Sequence, residues 1–185
     1  ELNLCDLVRR SIDAFIPYAR KHGKHVRVIV PTQTIHVLGD DGRLMQVMNN
    51  LLSNAAKYSG DDATIDVVMA AIGNNVRVSV IDQGPGIPPA LRQHMFSRFW
   101  QADGSNTKKA SGTGLGLAIS FGLVETMGGD RIHVHSVLDE GTSFSFELRL
   151  PKSQPPQHIC APSPQGEVTK DLNILVVEDN KINRT

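Results

Sequence analysis

Apolar residues recur at intervals of three and four in several stretches of the chain, which is the spacing of one face of an α-helix. The first stretch follows Asp6, the expected cap, and Gly23 closes it, while the second follows Asp40 and Asp41. The pattern predicts helices over about 7–22, 41–57, 88–99 and 115–127. The buried face of the second helix should consist of Leu44, Val47, Met48, Leu51, Leu52 and Ala55.

Short runs rich in Val and Ile lie between these stretches and have the composition of β-strands. Gly73-Asn74-Asn75 separates two of the runs and is a strong hairpin turn. Because strands outnumber helices and neighbouring strands form antiparallel hairpins, the sequence predicts an α/β (α+β) two-layer sandwich, with a mixed, largely antiparallel sheet and helices on one face. The predicted strands are 26–30, 35–38, 64–69, 76–81, 132–137 and 142–150.

The composition changes after residue 150. Half of the ten prolines lie between residues 151 and 170, which contain no Phe, Tyr or Trp, so we predict a semi-extended linker over 151–171. Residues 172–185 then hold an apolar run that ends in Glu178 and Asp179, the pattern of a buried parallel strand. We expect a first domain over 1–150 and the start of a second domain at 172–185.

The overall composition argues against several classes of protein. Nineteen Lys and Arg balance nineteen Asp and Glu, so the chain lacks the basic field on which sequence-independent nucleic-acid binding depends. Cys5 and Cys160 have no metal-like spacing, which favours a reducing, cytoplasmic location. No apolar run approaches the ~18 residues that a membrane span requires, so we expect no direct membrane contact from this part of the protein.

The second predicted helix carries a polar face with candidate chemistry. Asn50, Asn54 and Lys57 are spaced i, i+4, i+7 and share that face. Carboxamide oxygens and an ammonium group suit a hydrated magnesium ion and the phosphates that it bridges. The alternative is a polar face that is only solvated. Asn49, Asn50 and Asn54 lower the helix propensity of this segment, however, and a face that is only solvated would be expected to carry better helix formers such as Glu or Lys.

A glycine-containing turn follows the strand predicted at 76–81. Asp82 ends this strand, and Gly84 and Gly86 allow the backbone to turn sharply and to approach a ligand closely. The carboxylate is suited to accept a hydrogen bond from an amino group such as N6 of adenine. A tight turn that happens to contain an Asp is the alternative interpretation.

A second glycine-rich segment precedes the helix predicted at 115–127. Gly112, Gly114 and Gly116 free backbone amides at a helix N-terminus, where the helix dipole favours phosphate. The segment is neither a dinucleotide fingerprint, because it follows a polar loop, nor a Walker A motif, because no Gly-Lys-Ser/Thr occurs. The preceding residues 101–111 have the polar composition of a flap, in which Lys108 either reaches phosphate or stays solvated.

Four segments in chain order resemble the N, G1, F and G2 boxes of the histidine kinase ATP-binding catalytic domain, a member of the GHKL superfamily, and a fifth resembles its closing strand. The resemblance covers residues 1 to about 150 and implies a Bergerat-type ATP-binding fold. Residues 174–180 similarly resemble the first strand and acidic pair of a receiver domain, so the parent resembles a hybrid sensor kinase. The five segments are 50–58, 82–87, 96–99, 112–117 and 141–144.

The resemblance implies that ATP and Mg²⁺ are the cofactors. Asn54 would be the principal Mg²⁺ ligand with Asn50 assisting, and Lys57 would contact phosphate. Residues 101–111 would form a lid over the nucleotide, with Lys108 near the phosphates. The glycine-rich turn would hinge this lid and present backbone amides to the phosphates through Gly112, Thr113, Gly114, Leu115 and Gly116.

The same resemblance implies a site for the base. Asp82 would bind adenine N6, directly and through water, and Thr142 would help to hold the base. Gly84 and Gly86 would shape the base pocket, and Tyr58 would pack near the base or the ribose.

The implied function is the donation of the γ-phosphoryl group of ATP to a histidine on a separate dimerisation domain, in a two-component phosphorelay that also involves the receiver domain. None of the seven histidines has the acidic residue directly after it that marks the acceptor, so the fragment should be inactive alone. Two alternatives remain. One is a GHKL-type ATPase, although Asn50 stands where such enzymes use a hydrolytic Glu; the other is a signalling scaffold that binds no nucleotide.

Overall fold

The computed structural model of the chain describes residues 1–92, 94–97, 99 and 114–151. Most of the predicted linker, the strand predicted near residue 172 and the predicted lid 101–111 lie outside the described residues. The elements in chain order are β1 (Leu2–Asn3), α1 (Leu4–Lys21), β2 (His25–Ile29), β3 (His36–Val37), α2 (Asp41–Tyr58), β4 (Thr64–Ile72), β5 (Asn75–Asp82), α3 (Pro89–Arg92), α4 (Gly116–Thr126), β6 (His133–Val137) and β7 (Gly141–Arg149).

Five strands form the main sheet in the order β2-β4-β5-β7-β6. β2 and β4 run parallel, and the other three pairings are antiparallel. The predicted mixed, largely antiparallel sheet is therefore confirmed, and the predicted hairpin turn joins β4 to β5, where Ile72 lies opposite Asn75. The hydrophobic pattern did not predict β1, which pairs with β3 in a second, two-stranded sheet.

Side-chain alternation along the strands places one face of the main sheet against the helices. In β5, Val76, Val78 and Val80 are buried on that face, and Asp82 follows them at the same period of two. The predicted apolar stripe of α2 packs against the sheet, and each of its side chains is at most 1% exposed. The carboxylate of Asp82 thus lies on the core side of the sheet because of its position in the strand.

The helix caps are partly as predicted. Asp40 caps α2, because its side-chain oxygen accepts a hydrogen bond of 2.9 Å from the backbone N–H of Arg43. The prediction that Asp6 caps the first helix was wrong. Asn3 occupies that position and accepts from the backbone N–H of Asp6 at 3.2 Å, so the helix starts a turn earlier.

The predicted length of the helix over 88–99 was also wrong, since the helix observed there, α3, has only four residues. Among the described residues around α3, three further backbone bonds join residues three apart: Leu91 N–H to Pro88, His94 N–H to Leu91 and Ser97 N–H to His94. Such i to i+3 bonds form a series of turns and do not propagate an α-helix. None of the helices in the described part of the chain combines the length and hydropathy of a membrane-spanning segment.

Candidate functional site

The polar face of α2 joins this helix to the beginning of α4. The Asn50 side-chain nitrogen donates to the main-chain oxygen of Gly116 at 3.1 Å and to Ser120 Oγ at 3.0 Å. Because a carbonyl oxygen only accepts, these bonds fix the orientation of the carboxamide, and its Oδ1 has no donor among the described residues. Asn50 is therefore not part of a merely solvated helix face.

The other two predicted residues of this face lie one and two turns further along α2. Asn54 is half-buried, and its side chain has no hydrogen-bond partner among the described residues. The Lys57 ammonium lies 5.0 Å from the centre of the Tyr58 ring, within the range of a cation–π contact. Tyr58 is half exposed at the end of the helix, so its ring is accessible to a ligand.

Asp82 lies at the end of β5 and is almost fully buried. Its Oδ1 accepts a hydrogen bond from the backbone N–H of Gly84 at 2.8 Å, and it also accepts from the backbone N–H of Thr142. Burial raises the pKa of Asp82 above its ordinary value, and the two N–H donors oppose that shift. The result is an oriented carboxylate on the core side of the sheet.

The two glycines after Asp82 allow close backbone packing. A β-carbon on Gly84 would lie 2.7 Å from the main-chain oxygen of Tyr58, too close for any side chain. Gly86 has φ +72°, and a β-carbon there would collide with the carbonyl group of Val137. Both glycines therefore hold the turn against its neighbours, α2 on one side and the β6–β7 hairpin on the other.

The predicted glycine-rich turn is described from Gly114 onward. Gly114 has φ +68°, and its carbonyl accepts from the backbone N–H of Phe99 at 3.1 Å. Leu115 holds the N-cap position of α4 without a side-chain cap, and the first amides of the helix have no side-chain acceptor among the described residues. The predicted phosphate contacts Lys108, Gly112 and Thr113 lie outside the described residues.

Three residues of the site do not follow from the sequence pattern. Ser136 is buried on β6 and binds both the turn after β5 and Thr142 through its hydroxyl. Arg92, the last residue of the short α3, donates to the main-chain oxygens of Ile87 and Ser136 and so ties α3 to β6. Ser120 receives the bond from Asn50. Only Ser136 could have been singled out from the sequence, because it occupies a core position of an alternating strand, where an apolar residue is the norm.

The described residues thus bring together the middle and end of α2, the end of β5 and the start of α4. No cluster of three His, Cys, Asp or Glu suited to a metal occurs in the described ranges, so a cation here would depend on carboxamide and ligand oxygens. A separate cleft of about 280 Å³ lies at the opposite end of the sheet, where β5 begins and β7 ends. It is lined by Asn75, Gly128, Gly129, Asp130, Glu147 and Arg149.

Residues 39–152, well over half of the chain, match the family described as histidine kinase-, DNA gyrase B- and HSP90-like ATPase. The chain belongs to this family. It is 38% identical over 150 residues to the sensor histidine kinase AruS of Pseudomonas aeruginosa, covering 79% of this chain and 14% of AruS. It is 39% identical over 150 residues to the histidine-protein kinase BarA of Escherichia coli, covering 78% of this chain and 16% of BarA.

Solved structures agree with this assignment. The catalytic domain of the histidine kinase ThkA superposes with a TM-score of 0.70 at 32% identity, covering 80% of this chain and 93% of that domain. Full-length ShkA, solved in complex with AMPPNP, gives a TM-score of 0.69 at 32% identity over 81% of this chain and 31% of ShkA. The fold and the relatives are those of a histidine kinase ATP-binding catalytic domain of the GHKL type, which confirms the predicted fold class and family. The chain spans only a small part of the curated relatives.

Proposed function

We propose that residues 1–150 bind Mg²⁺-ATP and donate its γ-phosphoryl group to a histidine on a dimerisation domain of the same parent protein. In this proposal residues 151–171 are a linker, and residues 172–185 begin a receiver domain that takes part in the phosphorelay. The membership of the ATPase family and the sensor kinase relatives support the nucleotide chemistry. The magnesium ion, the individual site residues and the partner domains are what the proposal adds.

The bond network of Asn50 is the observation that carries the proposal. It joins α2, the helix with carboxamide oxygens suited to magnesium, to Gly116 and Ser120 at the start of α4. The first amides of α4 have no side-chain cap in the described part of the chain, and such amides suit phosphate. A metal ligand and a phosphate cradle that are held together in this way can bind the two halves of one magnesium triphosphate.

The donor set fits magnesium, which prefers oxygen ligands and retains several waters. Asn54 would be the main ligand and the Oδ1 of Asn50 would assist, since neither the Asn54 carboxamide nor this oxygen has a partner in the described part of the chain. When bound, magnesium neutralises and orients the triphosphate. Lys57 would add a positive charge near the phosphates, and the amides at Gly114, Leu115 and Gly116 would donate hydrogen bonds to them, as would Lys108, Gly112 and Thr113.

The base would lie against the end of β5. Asp82 would accept a hydrogen bond from adenine N6, and Thr142, its neighbour on β7, would hold the base from the adjacent strand. Tyr58 would pack against the base or ribose from the end of α2. Gly84 and Gly86 would keep the turn close enough to its neighbours for the pocket to form.

The catalytic work of this domain would be positioning and charge neutralisation, because phosphoryl transfer needs little covalent help from the protein. The acceptor imidazole is itself the nucleophile, so no general base is required here. Asn50 stands where a hydrolytic ATPase of the wider superfamily would carry a Glu, and its amide nitrogen is committed to α4. A carboxamide so held does not take a proton from water, which disfavours hydrolysis as the main activity.

Incubation with labelled ATP, alone and with a matching dimerisation domain added in trans, tests the proposal. We expect no label on the isolated chain and slow labelling of the added domain, because separation removes the effective concentration that a tether supplies, commonly millimolar for short linkers. Label on the isolated chain that is stable in base and lost in acid would show that one of its own histidines is an acceptor. Label on neither protein would favour the scaffold alternative.

A further inference from the structure

Three buried polar side chains form a row across three neighbouring strands. Ser136 on β6 lies opposite Thr142 on β7, and Thr142 lies opposite Asp82 on β5. All three are at most 5% exposed and lie on the helix-covered face of the sheet. Cross-strand neighbours of this kind are close enough for their side chains to interact directly.

The hydroxyl of Ser136 has three partners, which together use its full hydrogen-bonding capacity. The backbone N–H of Ile87 donates to Ser136 Oγ at 2.8 Å. The carbonyl of Gly141 lies 3.0 Å from the same oxygen and can only accept, so it takes the single Ser136 proton. Thr142 Oγ1 lies 2.9 Å away, and the bond between the two hydroxyls therefore needs the proton of Thr142.

This proton arrangement has a consequence for Thr142. Since its only hydroxyl proton points to Ser136, Thr142 Oγ1 has only lone pairs left for any other partner. Asp82, when ionised, also presents only acceptors. Two neighbouring acceptors favour a ligand edge that carries N–H donors and disfavour an edge that carries a carbonyl oxygen at the same place.

We propose that Ser136 is a positioning residue for base recognition. By holding the Thr142 hydroxyl as an acceptor, it makes the site selective for 6-aminopurine over 6-oxopurine nucleotides. This inference rests on the proposed nucleotide-binding function and goes beyond it, because Ser136 acts only through Thr142. A merely structural Ser136, which ties the turn at Ile87 to the β6–β7 hairpin, would support every nucleotide equally.

The test is competitive binding of ADP and inosine diphosphate, which differ at position 6 of the purine. Ser136→Ala frees the Thr142 hydroxyl to rotate and to donate to the oxo group, so the ratio of ADP to inosine diphosphate affinity should fall about tenfold, the effect of one hydrogen bond. Ser145→Ala is the matched control and should leave the ratio unchanged. Ser145 lies three positions after Thr142 on β7, and its side chain is on the open face of the sheet. An equal loss of affinity for both diphosphates in Ser136→Ala would overturn the proposal.

Thr142 offers a second variant that probes the same ratio, which can be measured even if Ser136→Ala does not fold. Thr142→Val keeps the shape of the side chain and removes its hydroxyl, so it should lower the same ratio by itself. In the double variant, Ser136→Ala should then have no further effect on the ratio, since the two residues act in series. Retained selectivity in Thr142→Val would refute the inference, whereas failure of the unaltered chain to bind either diphosphate would refute the proposed function itself.

Discussion

The main-chain oxygen of Tyr58, at the end of α2, lies 2.7 Å from the position that a β-carbon on Gly84 would occupy. The helix that carries Asn50 and Asn54 is thus packed directly on the turn that follows Asp82. Lys24 strengthens this junction, because its buried ammonium donates to the carbonyls of Ser59 and Gly60 just beyond the helix. The metal-binding and base-binding parts of the proposed site are therefore one packed unit.

Gly84→Ala should damage this junction. The added methyl would meet the Tyr58 main-chain oxygen at 2.7 Å and Asp82 Oδ1 at 2.8 Å. Asp82 Oδ1 cannot move away without loss of the hydrogen bond that it accepts from the Gly84 N–H. We expect a loss of about 1–3 kcal/mol in the free energy of unfolding, typical of overpacking, together with weaker nucleotide binding. Gly60→Ala is the control, because a β-carbon there meets nothing within 4 Å. Equal stability of the two variants in urea denaturation would disprove the close approach.

Lys24→Met should lower stability although it keeps the length of the side chain. The buried ammonium is a hydrogen-bond donor to two carbonyls at the C-terminal end of α2, where the helix dipole also favours a cation. Leaving these carbonyls without that donor should cost roughly 1–3 kcal/mol. Lys21→Met, an exposed lysine in the last turn of α1, should change stability by much less in the same denaturant titration. A difference near zero between the two would mean that the Lys24 contacts are not stabilising.

Asp82→Asn should change stability and nucleotide affinity in opposite directions. Folding raises the pKa of this buried carboxyl above its ordinary value of 3.8, so the folded state binds a proton more readily than the unfolded state does. Stability from this group is therefore fully present below the unfolded pKa and is lost as pH rises through the folded pKa. Asn keeps an oxygen acceptor for Gly84 and carries no charge. The melting temperature of the ligand-free variant should exceed that of the unaltered chain at neutral pH, and the gap should close in acid.

The same variant should bind ADP more weakly by roughly 1–3 kcal/mol, because a carboxamide exchanges a pure acceptor for a mixed donor and acceptor in a buried site. A constant gap in melting temperature across pH would contradict the burial account of Asp82. Unchanged affinity for ADP would contradict its proposed role in binding the base.

Asn54→Ala should remove the part of the affinity for ADP that depends on magnesium and leave the rest. With magnesium present the variant should bind less tightly than the unaltered chain, and with magnesium chelated the two should be equal. Asn49→Ala is the control on the same helix, where the side chain is exposed on another face. Calorimetric titration in both conditions measures the difference. If Asn54→Ala weakened binding just as much without magnesium, the residue would not be the metal ligand.

Local pattern predicted those features whose causes are local. The stripe of α2 and the β4–β5 hairpin follow from side-chain periodicity and from a turn with Gly73, and both are present. The short α3 and the Asn3 cap did not follow, because competing i to i+3 turns and a neighbouring strand decided them. Ser136 could not be placed, since its role depends on Ile87 and Thr142, which only the folded sheet brings together.

Titration of ATP into the unaltered chain, with and without magnesium, measures whether the chain binds this nucleotide and whether the metal contributes. We expect saturable binding of one nucleotide per chain by calorimetry, tighter with magnesium, and a rise in melting temperature that grows with nucleotide concentration. Absence of both binding heat and any thermal shift at millimolar nucleotide and magnesium would contradict it.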